Sequence, residues 1–268
     1  MNDLIRWTAP RISALKGKEK VTSLTAYDYS MARMVDQAGI HIALVGDSLG
    51  MTMLGYDNTL PVTLEQMIHH TAAVARGAKH AMVVTDMPFL TYQVSVEQAI
   101  LNAGRCIKEG GADGVKIEGG ANRVPTIKAL VENGIPVLGH VGLTPQSVNA
   151  MGGFKVQGRE PDKAKEMLES AQRLQDAGAD IVLLECVPNE AGKMITEALQ
   201  VPVIGIGAGP DVDGQILVLY DILDITQGKT PRFVRNFQQG NDSPLAALQA
   251  FVKAVKDSSY PAPEHCFS

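Results

Sequence analysis

The sequence predicts a single (β/α)8 TIM barrel, with a short N-terminal helix and a C-terminal helical extension. Three observations carry this. Apolar runs that stop at a polar or glycine residue recur along the chain, eight in all, and capped helical patterns fall between them. Similar Ala-Gly or Gly-Gly-Ala turns precede three of the runs, as expected of βα units closing a parallel sheet. The length of 268 residues leaves little over once a barrel of about 250 residues is built, so residues 1–268 read as one domain. A composition of 45% hydrophobic and 20% charged residues belongs to globular rather than disordered chains. The net charge of −5 argues against nucleic acid or an anionic membrane as partner. Charges at Asp3, Arg6, Arg11 and Lys16, with no apolar run after them, give neither a secretory signal nor a membrane span. Three cysteines without CxxC spacing suit reduced thiols in a cytoplasm.

In chain order, residues 1–20 form a cap segment in which Thr8 precedes Ala9-Pro10, the start of a short helix to about Leu15 that closes the barrel bottom. Val21 to Tyr27 is the first strand, and Asp28 caps the helix Tyr29 to Gln37, which ends at Gly39. Ile42 to Ser48 is the second strand. The long Gly-, Met- and Thr-rich segment after it is of a length that is usually functional, and Thr63 then caps Leu64 to Arg76. The third strand, 81 to 88, delivers Asp86 to its carboxyl end ahead of Pro88, and a helix from Val96 to Glu109 follows. Gly114 to Glu118 is the fourth strand, with a helix from Val124 to Glu132; Pro136 to Val141 is the fifth. A glycine-rich loop through Gly152, Gly153 and Gly158 leads to a helix from Pro161 to Ala177. The sixth strand is Ala179 to Cys186, with a helix from Glu190 to Leu199. The seventh is Pro202 to Ile206, and the eighth lies within Ile216 to Tyr220. Pro244 to Val255 is a last outer helix, and 258–268 reads as a loose tail.

In a barrel, polar residues at strand carboxyl ends meet at one mouth, where sites in this fold lie. Asp47, Asp86, Glu118, His140 and Glu185 all qualify. Lys116 and Glu118, two apart on one strand, point to the same side. Buried charges are costly unless paired or metal-bound, so this pair reads as functional, against the alternative of a pair filling a barrel layer. Asp47, Asp86 and Glu118 supply the oxygen ligands a hard divalent ion such as Mg²⁺ takes, whereas each aspartate alone could equally be a helix cap. No Cys/His cluster suggests zinc. Apolar neighbours of Glu185 would raise its pKa and suit it to act as a base, against a structural role as partner of Lys116. His140 is either a donor to a substrate hydroxyl or a satisfied core histidine, and Ser48 adds a hydroxyl beside Asp47. The glycines at 205, 207 and 209 resemble a phosphate-binding loop or a place of close backbone approach. His69, His70 and His80 lack metal spacing and read as surface or packing residues.

Eight segments together resemble the ketopantoate hydroxymethyltransferase family: LTAYD at 24–28, VGDSLG at 45–50, VVTDMPF at 83–89, VKIEGG at 115–120, GHVGLTPQ at 139–146, GGFKVQG at 152–158, LLECVP at 183–188 and GIGAG at 205–209. They run in the family's order from about residue 5 to residue 235, and Asp224 stands where the family has glycine. The resemblance implies transfer of a one-carbon unit from 5,10-methylenetetrahydrofolate, the co-substrate, to 3-methyl-2-oxobutanoate. The products are 2-dehydropantoate, on the way to pantothenate and coenzyme A, and tetrahydrofolate. It implies Asp47 and Asp86 as Mg²⁺ ligands, Glu118 as a third or outer ligand, Ser48 and Lys116 as substrate contacts, and Glu185 as base. His140 would serve the developing hydroxymethyl group. A Mg²⁺-chelated 2-oxo acid would lose its C3 proton, and the enolate carbon would attack the folate's methylene carbon. The loops after strands two and five are candidates for lids and for the folate-side wall. A homo-oligomer, five- or ten-subunit, also comes with the resemblance.

The family resembles in turn a barrel superfamily of isocitrate lyase and phosphoenolpyruvate mutase, so a Mg²⁺-dependent 2-oxo acid lyase is the alternative. The chain lacks the KKCGH-type loop of such lyases. A non-catalytic 2-oxo acid or folate binder would have no need of a base at Glu185.

Overall fold

The computed structural model describes residues 6–268. Residues 1–5 of the cap segment, Asp3 among them, lie outside the described residues. In chain order the elements are α1 (Ala9–Ser13), β1 (Val21–Thr25), α2 (Tyr29–Gln37), β2 (Ile42–Val45), α3 (Leu49–Thr52), α4 (Leu64–Gly77), β3 (Met82–Asp86) and α5 (Val96–Lys108). The second half runs β4 (Gly114–Glu118), α6 (Val124–Glu132), β5 (Val137–Gly142), α7 (Val148–Met151), α8 (Pro161–Asp176), β6 (Ile181–Glu185) and α9 (Asn189–Ala198). It closes with β7 (Val203–Ile206), β8 (Gly214–Leu217), α10 (Leu219–Ile222) and α11 (Pro244–Lys256). The strands are all parallel, in the order β1 to β8, and β8 pairs back with β1 to close the barrel.

The helix starts follow from their caps. Asp28 accepts from the N–H of Met31 at 2.9 Å, and Thr63 and Gln66 form a reciprocal capping box, each such cap contributing about 1 kcal/mol. Gly39 ends α2 in the left-handed region at φ +82°, open to any glycine-like turn.

Alternation along the strands sorts the core into layers. Val21, Ile42, Leu44, Met82, Val84, Leu138, Ile181, Leu183, Ile204 and Ile216 point inward and pack on Ala9, Ile12, Trp7 and Leu15, so α1 does close the bottom. The intervening residues, such as Val83, Ile117, Val141 and Leu184, face the surrounding helices. The inward set continues upward from apolar to charged: above Val84 stands Asp86, above Gly114 stand Lys116 and Glu118, above Leu138 stands His140, and above Leu183 stands Glu185. Register places Asp86 beside Lys116 and Glu118 beside His140.

Two expectations are corrected. The eighth strand begins at Gly214, two residues ahead of the expected segment, and α10 takes over at Leu219. A side chain at 214 would meet the carbonyl of Val21 at 2.3 Å, so only glycine lets β8 close on β1. The segment 258–268 is not loose. Tyr260 is buried against Phe237 and Phe251, its hydroxyl donates to the Phe233 carbonyl, and the carbonyl of Phe267 accepts from Asn189 N–H at 3.0 Å. Aromatic contacts dock this tail across the C-terminal helix and the α9 end of the barrel. Asp224 adopts φ +59°, the conformation that a glycine in its place would take without strain.

Candidate active site

The mouth of the barrel holds a continuous arc of charged groups running from β2 to β6. Asp47 lies two residues past β2, and its backbone N–H donates to Asp86 Oδ2 at 3.1 Å. Gly46 makes room for this, since a Cβ there would lie 2.8 Å from Ser48 Oγ and 3.5 Å from Asp86 Oδ2. The other oxygen of Asp86 is ion-paired with Lys116, whose ammonium also lies 3.7 Å from Glu118 Oε1. Glu118 Oε1 is 3.5 Å from His140 Nδ1, and His140 Nε2 is 3.4 Å from Glu185 Oε2. Asp47, Asp86, Lys116, Glu118 and His140 are each at most 4% exposed. The side chain of Glu185 is 17% exposed, which makes it the member of the arc that an incoming molecule can reach.

The His140 contacts are ionic rather than hydrogen-bonded: both ring nitrogens and Glu118 Oε1 are buried without a hydrogen-bond partner. Such orphaned polar atoms are costly unless something else completes them. Burial opposes a charge on His140, but Glu118 and Glu185 outweigh it and bring the pKa up to about 8. Lys116 is likewise held charged by Asp86, Glu118 and Asp47 against the effect of burial. Burial alone would raise Glu118, yet His140, Lys116 and the N–H of Gln146 keep it below the usual carboxylate range. Asp47 goes the other way: burial, then the negative charges of Asp86 and Glu118, push it well above that range. Burial also raises Asp86, with Lys116 opposing.

With all four carboxylates ionised, as a bound cation would leave them, they face one ammonium and one imidazolium, an excess of two negative charges. That deficit and the hard oxygen donors fit a divalent cation such as Mg²⁺, which takes one or two carboxylates and keeps its other positions for water and substrate. Asp47 and Asp86 would hold it. Among the described residues no three His, Cys, Asp or Glu side chains converge to hold an ion, because Lys116 stands between Asp86 and Glu118. Glu118 belongs to the Lys116–His140 side of the arc.

Of the other expected residues, Ser48 is partly buried and its Oγ lies 2.8 Å from the Tyr27 hydroxyl, which burial pushes up to about 12. The environment of Glu185 is not the apolar pocket the sequence suggested, since its carboxylate faces an imidazole and open space. Lys116 pairs with Asp86, not with Glu185. The 205–209 loop is not an open phosphate cradle. A Cβ at Gly207 would meet Phe233 at 2.8 Å and Phe267 at 3.0 Å, so its glycines accept the docked tail. His70 and His80 serve structure, through Tyr27 and Asp36, and the three cysteines are buried and free.

Two residues were missed. Gln146 donates from Nε2 to Asp47 Oδ2 and to the Met87 carbonyl, both at 2.9 Å, and its backbone N–H donates to Glu118 Oε2 at 3.0 Å. Tyr92 donates its hydroxyl to Gln146 Oε1 at 2.7 Å and accepts from the N–H of Glu118 at 3.0 Å. Together they tie Asp47 to Glu118. The only signal for Gln146 in the chain was its place at the end of GHVGLTPQ; nothing marked Tyr92.

Comparison with known proteins identifies the family. The family model described as ketopantoate hydroxymethyltransferase matches residues 6–263. The chain is 54% identical over 253 residues to a 3-methyl-2-oxobutanoate hydroxymethyltransferase of Syntrophomonas wolfei, covering 94% of this chain and 92% of the relative. It is 52% identical over 264 residues to the Clostridium botulinum (strain Loch Maree) protein of the same name, covering 98% and 96%. In structure it resembles 2,3-dimethylmalate lyase, a member of the PEP mutase/isocitrate lyase superfamily, with a TM-score of 0.58 over 78% of this chain and 80% of that one. At 18% identity that likeness concerns the barrel alone. By the match over nearly its whole length, the chain belongs to the ketopantoate hydroxymethyltransferase family.

Proposed function

We propose that this chain moves a one-carbon unit from 5,10-methylenetetrahydrofolate to C3 of 3-methyl-2-oxobutanoate, giving 2-dehydropantoate and tetrahydrofolate in pantothenate synthesis. The observation that carries the reading is the buried arc from Asp47 to Glu185, with its excess of two negative charges and its one accessible carboxylate at the end. Mg²⁺ bound at Asp47 and Asp86 would supply Lewis acidity, drawing charge from the keto group as C3 becomes nucleophilic.

The chain's own residues do the rest. Glu185 reaches the substrate from the open end of the arc and takes the C3 proton. Its neighbour His140, protonated below pH of about 8, steadies the carboxylate and is placed to give a proton to the new hydroxyl oxygen. Lys116, fixed between Asp86 and Glu118, sets a positive charge beside the substrate carboxylate and enolate oxygen. Ser48 offers a hydroxyl at the same rim.

The atoms balance only with one water. C3 loses its single proton, the bond from C3 to the one-carbon unit forms, and both C–N bonds to the folate break. Water supplies the hydroxyl oxygen. Its two protons and that from C3 end on the hydroxyl and the two folate nitrogens. C3 becomes quaternary and cannot eliminate afterwards, so the oxygen has to reach the methylene carbon before or as the C–C bond forms.

A test follows the carbon. With ¹³C in the methylene group of the donor, the label is expected in the hydroxymethyl carbon of the product, and only when Mg²⁺ and the 2-oxo acid are both present. Label that stays in the folate, or that appears without the 2-oxo acid, would remove the reading.

A further inference from the structure

The barrel mouth is too full for a folate. Asp47, Asp86, Lys116, Glu118, His140 and Gln146 are each at most 4% exposed, so the charged groups there offer a two-ring system little surface to lie on. The donor needs a second space that touches the first. We propose that it lies in the groove between the loops after β4 and β5 and the facing side of α8, with its rings inside and its glutamyl carboxylates at Arg159. The proposal rests on the folate reading given above and adds the place and the contacts.

The groove is a cavity of about 720 Å³, within the range of about 300–1,000 Å³ that small-molecule sites occupy. Its inner end adjoins the reacting groups. Gly119 follows Glu118 directly, Gly142 pairs with Glu185 across the β5–β6 register, and Gln157 N–H donates to the Cys186 carbonyl at 2.9 Å. That end of the groove therefore lies against the backbone that carries Glu118 and Glu185.

The wall and the rim differ in chemistry. Val141, Met151, Val156 and Met167 give the wall the apolar, polarisable surface on which a flat ring packs. Ser170, on α8, packs directly on Gly120, where a Cβ on the glycine would lie 2.8 Å from the serine hydroxyl, and this contact closes one side of the groove. The rim carries Arg159 and Lys163 together with Glu160 and Glu166. Lys163 is engaged with Glu166 at 2.9 Å, whereas Arg159 is exposed and makes no side-chain hydrogen bond or ion pair with any described residue. A guanidinium without a partner, at the mouth of a groove lined by both polar and apolar side chains, offers the forked donor geometry that a carboxylate accepts in a bidentate manner. An elongated donor with a ring at one end and carboxylates at the other matches this order.

The experiment uses the full chain with Mg²⁺ and separates the two half-sites. Binding of tetrahydrofolate and of its triglutamate is measured by calorimetry, and exchange of the 3-methyl-2-oxobutanoate C3 proton in D₂O is followed in parallel. Arg159→Ala is expected to weaken tetrahydrofolate about tenfold and the triglutamate by more. Ser170→Leu, whose longer side chain finds no space against Gly120 and has to turn into the groove, is expected to abolish binding of both. Exchange should stay at the parent rate in the two variants. If the parent binds tetrahydrofolate and both variants bind it equally well, the groove assignment is overturned while the folate reading stands. If the parent exchanges the C3 proton but binds no tetrahydrofolate, the folate reading fails and the groove assignment falls with it.

Discussion

Replacing Gln146 by alanine removes the brace between Asp47 and Tyr92, and its cost can be worked from the contacts. Four partners lose a bond in a residue only 4% exposed: Asp47 Oδ2, the Met87 carbonyl, the Tyr92 hydroxyl and the Gln93 amide. A buried bond to a carboxylate is worth about 1.5–3 kcal/mol and a neutral one about 0.5–1.5 kcal/mol. Allowing water into the space left behind, the expected loss is about 3 kcal/mol of stability. The backbone N–H to Glu118 survives, so the β5 loop should keep its path. There is a second, chemical consequence. The amide donor holds down the pKa of Asp47, which burial, Asp86 and Glu118 already push well up. Without it Mg²⁺ must displace a proton more tightly held, so the Mg²⁺ requirement should rise, and rise more at pH 6.5 than at pH 8. Urea denaturation of the metal-free protein and Mg²⁺ calorimetry at the two pH values measure both effects. A loss below about 1 kcal/mol together with an unchanged Mg²⁺ titration would refute the brace.

Other expectations follow from the same contacts. Asp86→Ala removes the partner of Lys116 and one of the two carboxylates that would hold Mg²⁺, so activity should need more Mg²⁺; an unaltered Mg²⁺ dependence of turnover would undo that assignment. Tyr260→Ala should cost about 3–5 kcal/mol in thermal or denaturant unfolding, the range for emptying a buried aromatic site, where a loose tail would lose almost nothing. His41 gives a pH signature. It is 2% exposed and its Nδ1 accepts the Thr22 N–H at 2.9 Å, a neutral arrangement, and burial brings its pKa down to about 4. The folded value lies below the unfolded one of about 6.5, so the unfolded chain takes the proton first. This stability is whole above pH of about 6.5 and is lost, by about 3 kcal/mol, as pH falls toward 4. His41→Asn, which keeps an acceptor but no titration, should flatten the stability slope in that window; equal slopes would contradict it.

Much of this site was legible because strand periodicity does two things at once. It places Asp86, Lys116, Glu118, His140 and Glu185 on the inward face, and it places them at the carboxyl ends where the apolar run stops. No such rule reaches Gln146 or Tyr92. A glutamine in a loop usually meets water, and only the path of the β5 loop over the mouth, set by tertiary packing, turns this one onto Asp47. The same holds for the tail, where Tyr260 and Phe267 follow no period and gain their place from Phe233, Phe237 and Phe251. The eighth strand was misplaced because it opens on Gly214-Gln215, which has no β-branched or apolar mark. Lys116 pairing with Asp86 rather than with Glu185 is a matter of stagger: Asp86 and Lys116 share a rung, while Glu185 pairs with Gly142, two strands away from Lys116.

The central claim is that Glu185, at the open end of the arc, takes the C3 proton of a 2-oxo acid. Proton NMR of 3-methyl-2-oxobutanoate in D₂O with the Mg²⁺-supplemented protein tests it without any folate. The expected result is a loss of the C3 proton signal that requires Mg²⁺ and that slows by about 10² or more in Glu185→Gln, the scale of a missing general base. Exchange that proceeds equally fast in Glu185→Gln would take the base away from this residue, and no exchange in the parent protein would contradict the enolate chemistry itself.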